Sequence, residues 1–163
     1  MDLRGCIKVN LFTKLAEVYK DYETKIEAIN YIDYFVIVNP FGNNNILVSE
    51  EGGINLIFSS TSAHFNHNAD ANENVNDLIK CINEFLNGKL VVLQFFKEDD
   101  IAFSGSRYLE DIDMSSGESL LESFMQSNGP FKASYEGIKG FNYRCLIRGW
   151  NNEHNQDFDF ILK

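Results

Sequence analysis

The chain has 163 residues, with 24 acidic against 14 basic side chains for a formal charge of −10, and 44% of its residues are apolar. That length and apolar content suffice for one domain with its own core and argue against global disorder. A negative field repels phosphate backbones and anionic lipid, which argues against nucleic-acid binding and peripheral membrane attachment.

The N-terminus Met1-Asp2-Leu3-Arg4-Gly5-Cys6 runs into a charged, amphipathic stretch and does not read as a signal peptide. No apolar run approaches the roughly 18 residues that span a bilayer. Cys6, Cys81 and Cys145 are odd in number and far apart, a usage that suits a reducing compartment. The expectation is a soluble cytoplasmic protein.

Residues 10 to 30 read as a helix, because Leu11, Leu15, Val18, Tyr22, Ile26 and Ile29 recur at three- and four-residue spacing. Leu11, Leu15, Val18 and Ile26 should be buried, and Lys14, Glu17, Asp21 and Lys25 wet. Tyr34 to Val38 is β-branched and aromatic and is ended by a loop from Pro40 to Asn45. Strands are expected at Ile46 to Ser49 and Ile54 to Ser59, joined by a turn at Glu51-Gly52-Gly53. Connections this short make an antiparallel meander.

After a polar stretch from Asn66 to Asn74, Val75, Leu78, Ile79, Ile82, Phe85 and Leu86 mark a second helix, stopped by Asn87-Gly88. Lys89 to Phe96 and Ile101 to Tyr108 read as a hairpin with the acidic tip Glu98-Asp99-Asp100. A third helix is expected from Gly117 to Met125, with Ser115 or Ser116 as N-cap and Gly129-Pro130 as its stop. Phe131 to Tyr135, Phe141 to Arg148 and Gln156 to Leu162 alternate partially, as strands do. Nothing marks a domain boundary. The order predicts a single α+β domain over residues 1–163, with an antiparallel or mixed sheet and helices packed on one face.

Chemical motifs are sparse. His64, His67 and Asp70 stand at three-residue intervals in a strand-end and loop region, a ligand set that zinc or iron accepts. A fourth ligand is missing apart from the distant His154, so no structural metal is expected. Gly-x-Ser-x-Gly, phosphate-loop and dinucleotide patterns are absent, and neither a catalytic residue nor a cofactor is assigned. Trp150 leaves two readings open, buried packing or an exposed binding anchor. The acidic clusters also leave two, solvated charge or a docking face for a basic partner.

One run, Ser60-Thr61-Ser62-Ala63-His64-Phe65, then Ile82-Asn83-Glu84-Phe85-Leu86-Asn87-Gly88-Lys89 and Leu90 to Phe96, then a hairpin reaching Gly105-Ser106, resembles a group of small bacterial proteins. That group includes immunity proteins of polymorphic toxin systems, and the likeness covers residues 54 to 108. The resemblance implies a non-enzymatic binder whose partner is a toxin domain. Glu98, Asp99, Asp100, His64, Phe65 and Trp150 are the candidate contact residues. The alternative expectation is a small enzyme or small-ligand binder using the His64 region.

Overall fold

The computed structural model describes residues 4–42, 44–126 and 138–163, with side chains from residue 11 onward. Its class is α+β, as the sequence predicts, and every strand pair is antiparallel. Residues 1–84 and 85–163 each form a compact unit. Among the described residues no helix is long and apolar enough to cross a membrane.

In the first unit, helix α1 covers Arg4–Val18. Five strands follow in a meander, β1 (Thr24–Ile29), β2 (Ile32–Ile37), β3 (Ile46–Ser49), β4 (Asn55–Phe58) and β5 (Thr61–His64), lying side by side in chain order. Helix α2 covers Ala71–Leu86. Phe35, Ile37, Ile46, Val48, Leu56 and Phe58 are buried at alternate strand positions, and Phe12 of α1 meets Phe35 with ring centroids 6.0 Å apart. Tyr19, just past α1, donates its hydroxyl to the Ile79 carbonyl at 3.2 Å and to Asn83 Oδ1 at 3.1 Å, tying the helix end to α2.

The helix expected over 10 to 30 is therefore two elements. Leu11 and Leu15 are buried as its spacing requires, but Val18 is 45% and Ile26 65% exposed. Tyr22, Ile26 and Ile29 fit a helical period, yet Thr24 to Ile29 also fits strand alternation, and pairing with β2 decides the matter. The turn is made by Asn30 and Tyr31, at φ 52° and 68°, the both-positive signature of the hairpin turn whose twist matches its strands. Ser59 and Ser60 repeat that geometry at φ 48° and 62°, so Thr61 to His64 is a strand where the sequence suggested a loop.

The Glu51-Gly52-Gly53 turn is where expected. A Cβ on Gly53 would lie 2.1 Å from Asn66 Nδ2, and the Asn66 side chain accepts the Ile54 N–H at 2.9 Å. Only glycine leaves room for this clamp.

The second unit places β6 (Leu90–Lys97) between β7 (Asp100–Tyr108) and β8 (Asn142–Arg148), with β9 (Gln156–Ile161) beyond β8. Val91, Leu93 and Phe95 of β6 and Tyr143, Cys145 and Ile147 of β8 present one apolar face. Helix α3 (Gly117–Gln126) covers it with Leu120, Leu121 and Phe124. Ser116 is its N-cap, accepting the Ser119 N–H on its hydroxyl at 3.0 Å. A Cβ on Gly117 would lie 2.3 Å from the Phe160 ring, so the helix start can approach β9 this closely only at glycine. The helix stop expected at Gly129-Pro130 and the strand expected at Phe131 to Tyr135 lie outside the described residues.

Candidate functional site

The hairpin of β6 and β7 turns on Glu98 and Asp99, with Lys97 paired to Asp100 across the turn and Glu98 at φ 58°. Glu98, Asp99 and Asp100 are all exposed, so three consecutive carboxylates stand at the tip. Below it Phe95 pairs with Phe103 but Phe96 with Ile101, leaving Ala102 as an extra residue on β7. A bulge of this kind bends its strand and increases local twist, which re-aims the tip.

The register carries a row of side chains across the sheet from the base of this tip. Ile101 pairs with Phe96, Phe96 with Arg144, and Arg144 with Asp159, all on the face opposite the one that α3 covers. Asn142 pairs with Ile161, which is 57% exposed, at the same end of the sheet. Phe141 is also exposed, and Lys97 sets its ammonium 3.2 Å from the centroid of that ring. Cation and ring attract each other through the ring's negative face. A groove of about 370 Å³ runs between Glu98, Arg144, Asp159 and Ile161. Apolar side chains rimmed by charge are the composition of a protein contact surface.

Arg144 turns from Asp159 toward its diagonal neighbour, donating to Asp157 at 3.0 Å, where Arg148 also donates at 2.8 Å. The hydrogen bond from Arg148, joined by that from Arg144, holds the Asp157 carboxyl below its ordinary range. Two arginines thus converge on one carboxylate of β9, and the charged side chains lining the groove are Glu98, Asp159 and Arg144.

The remaining candidates stand elsewhere. His64 is exposed on β5, where its Nδ1 is hydrogen-bonded to Asn55 Oδ1. Asn55 donates its amide to the Glu51 and Gly53 carbonyls at 2.9 and 2.8 Å, which fixes its oxygen toward the ring and makes Nδ1 the protonated nitrogen. His64 therefore braces the turn between β3 and β4. Phe65 follows it on the opposite side and is buried, its N–H donating to the Ile54 carbonyl at 2.9 Å. Alternation makes it a packing residue and removes it from the contact candidates.

Trp150 is 4% exposed, so of its two readings burial replaces the exposed anchor. It follows Gly149, whose N–H is held by Asn155 Oδ1 at 2.9 Å, and the short 3-10 turn at Asn152–His154 closes the loop. His64, His67 and Asp70 do not come together: among the described residues no three His, Cys, Asp or Glu side chains form a group able to hold a metal ion. A second groove, of about 530 Å³, lies in the first unit between Tyr31, Ile54, Asn66 and Val75. Neither groove is lined by His64, Phe65 or Trp150.

A scan against protein-family models, a search of curated proteins and a search of solved structures each gave no match.

Sequence reasoning found the acidic tip and missed Phe96, Ile101, Phe141, Arg144, Asp159 and Ile161. These residues lie on four strands and the approach to one of them, and only the pairing register brings them to one end of a sheet. The alternating acids of Gln156-Asp157-Phe158-Asp159-Phe160 were the one local signal available.

Proposed function

We propose that this chain is a non-enzymatic, cytoplasmic binding protein that engages a basic protein partner through the β6–β7 tip and the adjoining end of the sheet. The observation that carries this reading is the exposed run Glu98-Asp99-Asp100 beside the apolar side chains of Ile101, Phe141 and Ile161. Carboxylates at a projecting turn meet a partner's cations without desolvating the sheet beneath them, and the apolar residues supply contact area. The resemblance of residues 54 to 108 to immunity proteins suggests the partner's class, a toxin domain whose basic surface handles phosphate. In that role the carboxylates occupy positions where the partner expects phosphates.

The test is a paired capture from the native host's lysate, using the immobilised chain and the Asp99→Lys/Asp100→Lys variant. A basic protein retained by the parent and lost from the variant is the expected result. Equal retention by both, or retention of acidic proteins alone, contradicts the reading.

A further inference from the structure

Among the described residues, the outermost strand of the first unit is paired on one side only. β1 is the outermost strand of its sheet, and Lys25 to Ile29 are exposed on both faces. The phase of its hydrogen bonds follows from one main-chain contact: the Val38 N–H donates to the Glu23 carbonyl at 2.9 Å. Alternation along an antiparallel pair then turns the main-chain groups of Lys25, Glu27 and Ile29 toward β2, and those of Thr24, Ile26 and Ala28 outward. An edge of this kind is a template for another strand; charge can blunt it, but Lys25 and Glu27 are opposite in sign and so exclude a like-charged strand while complementing an antiparallel copy of themselves.

We propose that β1 pairs antiparallel with β1 of a second copy of this chain, about a two-fold axis through Ile26. Ile26 then faces Ile26, and Thr24 faces Ala28, at the positions whose N–H and C=O groups point outward, so all three residues exchange main-chain hydrogen bonds. In the same register Lys25 of each copy faces Glu27 of the other. These fall at non-hydrogen-bonded positions, where facing residues approach most closely, with Cα atoms about 4.5 Å apart. Lys25 and Glu27 already share a face, joined at 2.7 Å within one strand. Pairing converts that contact into two reciprocal bridges and covers Ile26, which is 65% exposed. The two five-stranded sheets become one continuous sheet, closed by symmetry so that neither copy offers this edge again.

A second copy is the occupant because the edge is complementary to itself in hydrogen-bond phase, in charge and in its central apolar residue together. The edges of the other sheet lack this property. β9 carries Asp157 and Asp159 on one face, so self-pairing about Phe158 would set acid against acid, and β7 is interrupted by its bulge.

Sedimentation equilibrium of the full chain tests the proposal. The parent is expected to show a concentration-dependent monomer–dimer equilibrium. Lys25→Glu alone, or Glu27→Lys alone, sets like charges opposite each other twice and should raise the dimer dissociation constant about tenfold. The double variant Lys25→Glu/Glu27→Lys restores both bridges and should return it to within about threefold of the parent. Ile26→Pro removes a donor that faces away from β2 and should abolish the dimer while leaving the far-ultraviolet spectrum unchanged. A parent that stays monomeric at every concentration, or single reversals that leave the constant unmoved, overturns the proposal. A double variant as weak as the singles overturns it equally, because the Lys25–Glu27 register is its core.

Discussion

Leu15 and Val18 sit one helical turn apart in α1, and their side chains have opposite fates. Leu15 is fully buried, while Val18, in the last position of the helix, is half exposed. Truncating a buried leucine removes its transfer energy and leaves a cavity, so Leu15→Ala should cost about 2 to 5 kcal/mol. Val18→Ala leaves no cavity and should stay within about 0.5 kcal/mol of the parent. Chemical denaturation of the two variants checks the assignment. Equal losses would show that Val18 is packed, and an unchanged midpoint in Leu15→Ala would show that α1 does not cover the sheet.

At the scale of elements, hairpin turns set what could be read from the sequence. Glu51-Gly52-Gly53 and the acidic tip announce themselves, through glycines in one case and a polar break between two apolar runs in the other. Asn30-Tyr31 and Ser59-Ser60 do not, because neither contains glycine although both residues of each adopt positive φ. β1 therefore reads as helix and β5 as loop, while periodicity marks α2 and α3, Asn87-Gly88 marks the end of α2, and apolar or alternating runs mark β6 to β9. The same fact gives a prediction. Two serines held at positive φ are strained, whereas asparagine and glycine adopt that region at little cost. Replacing Ser59-Ser60 by Asn-Gly should stabilise the first unit by about 0.5 to 1 kcal/mol, read as a higher denaturation midpoint. A lower midpoint would mean that the serine side chains contribute more to the turn than its backbone strain removes. The candidate contact surface at the end of the second sheet is legible in the sequence only as its acidic tip. Its apolar and arginine components are distant in sequence and meet through register alone.

Across the whole molecule, two buried groups, Tyr19 and Cys145, and the half-buried Cys81 respond to alkali. Burial pushes the Cys81 thiol up to about 11, helped by the nearby Glu84. Burial also pushes Cys145 up to about 12, and raises the Tyr19 hydroxyl. These groups lie in both units. Each stays protonated in the folded chain after its unfolded counterpart has begun to ionise, which for a thiol happens near about 8.5. Stability is thus fully present below that pH and falls as pH rises toward the folded values. Thermal melts from pH 7 to 10.5 should show this decline beginning near pH 8.5, with a shallower slope in Cys145→Ala. A flat profile would contradict the desolvation of these thiols.

The proposed binding through the acidic tip depends on the surface charge. Stopped-flow association with the captured basic partner, measured against salt, tests it most directly. Screening lengths shrink from about 10 Å at 0.1 M to about 3 Å at 1 M, so a steered encounter slows as salt rises. Binding through the acidic tip requires an association rate that falls with salt and drops at least tenfold at low salt in Asp99→Lys/Asp100→Lys, with a smaller change in dissociation. A salt-independent rate, or a variant that associates as fast as the parent, would contradict it.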